Sequence, residues 1–101
     1  MPQVVIVTEE KVQAFLNQLD RIRRARVDRY YTLLENYGWS LPSKYLKKIS
    51  AEIWELRPGD IRIFMRKKEN KAYAVHAIIK KTQKTSLRDL QTAIQRGKEI
   101  K

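Results

Sequence analysis

The chain has 101 residues, 43% of them hydrophobic and 33% charged, and 22 Lys and Arg against 11 Asp and Glu leave a net charge of +11. That is one domain's worth of chain, 1–101, with enough apolar residues for a modest core. The absence of Cys excludes a disulfide framework and a thiolate zinc site, and no apolar run approaches the roughly 20 residues that span a bilayer. A domain this basic attracts polyanions, with nucleic acid the leading partner ahead of an anionic membrane or an acidic protein; a merely solubilising surface mixes its signs more evenly.

Residues 3–7 (Gln-Val-Val-Ile-Val) are too short for a signal-peptide core and read as a short buried strand. Thr8 then stands at a helix N-cap position, with Glu9 and Glu10 in the first turn where the helix dipole favours anions. Val12, Phe15, Leu16 and Leu19 follow at helical spacing. Asp20 caps a second helix that Gly38 stops, and its predicted core face is Ile22, Ala25, Tyr30, Leu33, Leu34 and Tyr37. Arg21, Arg23, Arg24, Arg26 and Arg29 crowd its first turns, the wrong end for the dipole, which points to a surface or partner role.

Pro42 keeps Leu41 extended, and Ser43 opens a short turn carrying Lys44, Lys47 and Lys48. From Ala51 the period changes to two. Trp54 and Leu56 face one way, Glu55 and Arg57 the other, and Pro58-Gly59-Asp60 marks a hairpin. Ile61, Ile63 and Met65 then alternate with Arg62, Phe64 and Arg66, and Glu69-Asn70-Lys71 makes the next turn. Residues 72–79 are the most apolar strand and are expected at a central place in the sheet. After the polar stretch from Thr82 to Thr85, Ser86-Leu87-Arg88-Asp89 has capping-box form and opens a terminal helix. The predicted order is β-α-α-β-β-β-α: an α+β domain with an N-terminal strand, a helical hairpin packed on an antiparallel sheet, and a C-terminal helix.

Three strings in the second half carry a resemblance: Ile53-Trp54-Glu55-Leu56-Arg57, then Arg62-Ile63-Phe64, then His76-Ala77-Ile78-Ile79-Lys80-Lys81-Thr82-Gln83-Lys84-Thr85. With the order of elements, they resemble the RelE/ParE toxin superfamily over roughly residues 10 to 98, and more narrowly its HigB-type branch, which includes phage-derived relatives. The resemblance implies a RelE-like fold and a cytoplasmic toxin of a type II toxin–antitoxin pair. Such a toxin is an mRNA endoribonuclease that enters the ribosomal A site, halts translation and uses no cofactor or metal. The implied partner is a helix-turn-helix, HigA-like antitoxin, through which alone the toxin would meet operator DNA.

Cations suit this chemistry, because the charge on a phosphorane grows as the 2′-oxygen attacks. Arg62 matches the superfamily's strand arginine, and its planar fork can grip two phosphate oxygens. Lys81 best matches the superfamily's second catalytic cation, Lys84 accompanies it, and Arg57 offers another guanidinium or pairs with Asp60 or Glu55. Histidine is the side chain whose charge ordinarily changes near neutral pH, which suits a general base, but His76 sits mid-strand in an apolar run, where a lone His is more often a core residue. Glu55 is a further candidate base beside cations. Lys80, Gln83, Lys47, Lys48 and Arg66 are candidate RNA contacts, and Trp39, Tyr45 and Tyr31 are either stacking platforms or packing residues.

The chain departs from the best-known RelE-type pattern in two places. Ile53 and Glu55 stand where that pattern has active-face lysines, and the terminal helix has no tyrosine. Two other functions stay open at this stage: a ParE-like, gyrase-directed toxin, and a non-catalytic module that binds RNA or an antitoxin. Codon preference, ribosome dependence, the general acid and base, and oligomeric state are not written in the sequence.

Overall fold

A computed structural model describes residues 3–82, 84 and 86–100. Its elements are β1 (Val5–Thr8), α1 (Glu10–Asn17), α2 (Arg21–Tyr37), a 3-10 turn (Gly38–Ser40), β2 (Leu46–Lys48), β3 (Ile53–Leu56), β4 (Ile61–Lys68), β5 (Lys71–Ile79) and α3 (Leu87–Lys98). The sheet runs β1-β5-β4-β3-β2. Strands β2 to β5 are antiparallel in sequence, and β1 joins β5 in parallel, so the sheet is mixed.

Period-two alternation in β3 and β4 builds a face of Trp54, Leu56, Ile61, Ile63 and Met65, against which the helical hairpin packs Val12, Leu16, Val27 and Leu34. A smaller core on the opposite face joins Ile53, Phe64 and Val75 to Ala93 of α3. Helix α3 is seated closely. At Gly97 an added Cβ would lie 3.1 Å from Ile53 Cδ1 and 3.3 Å from Arg66 Cδ, so a side chain there would make both neighbours give by a few tenths of an ångström.

The register makes one face of the sheet's far end cationic. Lys47 stands opposite Glu55, Glu55 opposite Phe64, and Arg62 opposite Ile78, so these side chains emerge on the α3 side. The one register shift comes between Phe64 and Met65, where partners jump from His76 to Ala74. Val75 is the extra residue, a bulge that lets both ends of β5 keep their apolar faces inward.

Several sequence expectations are corrected. Thr8 is the last residue of β1, and its hydroxyl lies 3.0 Å from that of Tyr31; α1 begins from Glu9, which makes no side-chain cap. Strand β1 is a half-exposed edge, with Val5 and Val7 facing outward. Helix α2 turns the expected Leu34, Tyr30 and Leu33 at least partly inward, joined by Val27 and Tyr31, whereas Ala25 is exposed and Ile22 and Tyr37 are 71% and 61% exposed. Residues 46–48 add a strand that was expected to be a turn. The expected caps Asp20 and Ser86 are in place, accepting from the Arg23 and Asp89 backbone N–H groups.

Candidate active site

The tight β3–β4 turn organises the open end of the sheet. Gly59 takes φ +63, a left-handed conformation that costs a side-chain-bearing residue strain, and the Arg26 side chain lies over it. Asp60 ties this turn to two other elements. Its carboxylate accepts from Arg23 Nε and Nη2 at the start of α2 (3.0 and 2.6 Å), and its carbonyl accepts from the Lys80 backbone N–H just after β5 (2.6 Å). Arg23 hydrogen bonds hold the Asp60 carboxyl below its ordinary pKa, and the pair in turn raises that of Arg23.

Three candidate side chains meet beside this turn, with a fourth within electrostatic reach. Glu55, 1% exposed, is the buried charged residue of the core region. Its Oε1 lies 3.3 Å from Arg57 Nε and 3.7 Å from Arg62 Nε. Backbone carbonyls steer both guanidiniums: Arg62 Nη1 donates to Gly59 O (2.7 Å) and Ile61 O (2.8 Å), and Arg57 Nη1 to Ser43 O (3.3 Å). Burial, then the neighbouring Arg57, pushes the Arg62 pKa down, against the pull of Glu55. Lys80 completes the group. Its ammonium is pushed below the ordinary value by burial and then by Arg62, with Arg57 and Lys47 acting the same way and Glu55 opposing.

A basic site thus surrounds one buried carboxylate. A cavity of about 470 Å³ opens beside it, lined by Tyr30, Lys44, Tyr45, Arg57, Gly59 and Arg62. Three sequence candidates (Glu55, Arg57, Arg62) are brought into contact, and Lys80 and Lys47 stand within electrostatic reach of them. Lys80 rather than Lys81 is the half-buried lysine of this group; Lys81, Lys84 and Lys48 are exposed. Gln83 lies outside the described residues.

His76 and Arg66 are engaged elsewhere. His76 stacks on Phe64 with centroids 5.5 Å apart, Nε2 lies 2.9 Å from Asp89 Oδ1, and Arg96 Nη1 is 3.2 Å from Nδ1. Arginine can only donate, so Nδ1 accepts and the Nε2 proton goes to Asp89. Arg96 also donates to Val75 O (3.1 Å), making this a clamp between α3 and β5. Arg66 donates to Gly97 O (2.5 Å) at the carbonyl end of α3 and pairs with Glu52 at 2.7 Å.

The aromatics divide as well. Tyr31 is packed against the core and bound to Thr8, and Trp39 meets Trp54 in a tilted arrangement with centroids 5.2 Å apart and the Lys67 ammonium over both rings. Only Tyr45 of the three candidates lies at the cavity. Tyr30 and Lys44 were not proposed from sequence as site residues. They come from α2 and the β2 approach, and no local pattern links them to β4. Among the described residues, no group of three or more His, Asp or Glu is placed to hold a metal ion, and no helix is long and apolar enough to cross a membrane.

Comparison with known proteins bears on the family and the fold. The family described as Phage derived protein Gp49-like matches residues 14–98. No curated protein sequence matches the chain. A chain in the crystal structure of the archaeal RelE–RelB complex from Pyrococcus horikoshii OT3 has the same fold, with a TM-score of 0.65 and 14% identity over 78% of this chain and 97% of that one. The RelE-like α+β architecture expected from the sequence is therefore the one found.

Proposed function

The chain belongs to the phage-derived Gp49-like family, and from that premise we propose that it is the toxin of a type II toxin–antitoxin pair, acting in the cytoplasm as a ribosome-dependent mRNA endoribonuclease of HigB type. One observation carries the reading: Arg57 and Arg62 converge on buried Glu55 at an open end of the sheet, with Lys80 within electrostatic reach. Family membership and the fold shared with a chain of the RelE–RelB complex support it.

The chemistry follows from what such a cluster can stabilise. The ribose 2′-oxygen loses its proton to solvent water and bonds to the adjacent phosphorus, the bond from phosphorus to the 5′-oxygen breaks, and that oxygen takes up the proton that Lys80 supplies. The products are a 2′,3′-cyclic phosphate and a free 5′-hydroxyl. Arg57 and Arg62 hold the non-bridging oxygens, whose charge rises in the phosphorane, and their carbonyl contacts pre-set the geometry. Glu55 is too buried to exchange protons with an RNA strand, and it positions the two guanidiniums. Lys80, its ammonium made more acidic by burial and by Arg62, delivers the proton to the 5′-oxygen. Lys47, Lys81 and Lys84 attract flanking phosphates from the exposed rim. His76 acts indirectly, by docking α3.

The proposed partner is a helix-turn-helix, HigA-like antitoxin that neutralises the toxin and carries it to operator DNA. Induction in growing cells with pulse labels for protein and DNA tests the reading. Amino-acid incorporation is expected to stop first, and co-expression of the adjacent open reading frame to restore it. Arrest of thymidine incorporation ahead of protein synthesis would overturn the assignment in favour of a gyrase-directed toxin.

A further inference from the structure

The cavity beside the cation cluster has a chemistry that phosphate binding alone does not require. Two of its walls are aromatic: Tyr30 and Tyr45 meet with ring centroids 5.5 Å apart at an interplanar angle of 58°. Both tyrosines carry a phenol that can donate to or accept from a ligand's polar edge. The Lys44 ammonium rests 5.0 Å from the Tyr45 ring centroid and belongs to an exposed residue, so it is a removable occupant of that ring face. The remaining wall is Arg57 and Arg62, the guanidiniums assigned above to the scissile phosphate. At about 470 Å³ the space falls in the range of small-molecule sites.

We propose that this cavity is a nucleobase subsite, which takes one unpaired base of the RNA strand against Tyr45 while the adjoining phosphate rests on Arg57 and Arg62. The inference builds on the ribonuclease reading and adds a specificity-determining element to it. Unpaired RNA bases are commonly held on aromatic side chains, and stacking tolerates any base while edge contacts discriminate. Seating a base displaces the Lys44 ammonium from the ring and frees it for the next phosphate along the strand. The tyrosines act by positioning: they fix which nucleotide stands at the cluster, so the cleavage register follows the base they hold. The two other aromatics singled out from the sequence are engaged, Tyr31 with Thr8 and the core, Trp39 with Trp54 and Lys67.

The test is fluorescence anisotropy with a 5′-labelled trinucleotide whose 2′-O-methyl sugars prevent cleavage, compared with versions abasic at each position in turn. Wild-type protein is expected to bind the intact trinucleotide about tenfold more tightly than one of the abasic versions, the loss of a single base–aromatic stack. Tyr45→Leu is expected to abolish that difference, and Tyr45→Phe to keep it. Equal affinity of wild type for the intact and all three abasic ligands overturns the subsite. That comparison needs only the unmodified protein, so instability of the Leu variant does not blunt it. Cleavage of translated message is scored separately. Cleavage without base discrimination removes the subsite and leaves the nuclease, whereas discrimination without cleavage removes the nuclease and leaves a base-binding site.

Discussion

Replacing Glu55 with Gln removes the one counter-charge shared by two guanidiniums and changes almost no volume. The carboxylate is 1% exposed, and the Arg57 and Arg62 side chains are 25% and 12% exposed. At about 4 Å and an effective dielectric near 20, each ion pair is worth roughly 4 kcal/mol before desolvation. Removing one partner from a buried pair costs about 3–5 kcal/mol in general, because the remaining charge is left uncompensated. Here the glutamine amide oxygen still accepts a hydrogen bond and Arg57 is partly solvated, so a net loss of about 2–3 kcal/mol is expected. For a domain of this size that lowers Tm by roughly 10–20 °C. Differential scanning fluorimetry measures it directly. Sulfate should restore more of the variant's stability than of the wild type's, since the freed guanidiniums form an anion site, and chloride at equal ionic strength should not. A variant melting within about 2 °C of wild type, with no added response to sulfate, would refute the view that Glu55 holds the two arginines in place.

Three further outcomes are expected. Leu34→Ala, at a fully buried position on the inward stripe of α2, costs about 2–5 kcal/mol in urea unfolding, whereas Ile22→Ala, 71% exposed, changes stability by less than about 0.5 kcal/mol. Equal effects would contradict the phase of the helix. The Asp20 carboxyl is lowered by the Arg23 backbone N–H and then its side chain, and that of Asp60 by the Arg23 side chain. Depressed carboxyl pKa values stabilise the fold above the ordinary value of 3.8, and the gain is lost as pH falls through the folded value. Arg23→Gln should therefore flatten the fall of Tm between about pH 5 and pH 3, and parallel curves would dismiss the linkage. Lys80 owes part of its lowered pKa to Arg62, so Arg62→Leu should slow its acylation by an amine-directed reagent near pH 8.5, followed by peptide mass spectrometry. An unchanged or faster rate would mean the two cations are not neighbours.

The strand half of the fold was legible because period-two alternation in β3 and β4 is a clear signal: it grouped Trp54 with Leu56, and Ile61 with Ile63 and Met65, while the register that brings the two groups onto one face came only from the structure. The helical half was less so. Arginines at positions 21, 23, 24, 26 and 29 dilute the apolar stripe of α2, and Ile22 and Tyr37 compete with Val27 to define its phase. Strand β2 went unseen because its two lysines look like a turn; only pairing with β3 makes residues 46–48 extended. At the site, alternation already placed Glu55 with Arg57 and apart from Trp54, and resemblance singled out Arg62. The choice between Lys80 and Lys81 needed three-dimensional structure, because it depends on where β5 ends and how the backbone of residue 80 binds Asp60. The apolar surroundings of His76 pointed to a packing role, but its link to Asp89 spans thirteen residues and has no local signature. Tyr30 and Lys44 reach the cavity only through the packing of α2 and the β2 approach around Gly59.

Primer extension on a translated message tests the central assignment most directly, comparing cells that express wild type, Arg62→Ala, Lys80→Ala and Lys81→Ala. The account predicts discrete cuts within the translated region for wild type. It predicts their loss for Arg62→Ala and Lys80→Ala at equal soluble protein, and their persistence at reduced strength for Lys81→Ala. Undiminished cleavage by the Arg62→Ala and Lys80→Ala proteins would contradict it.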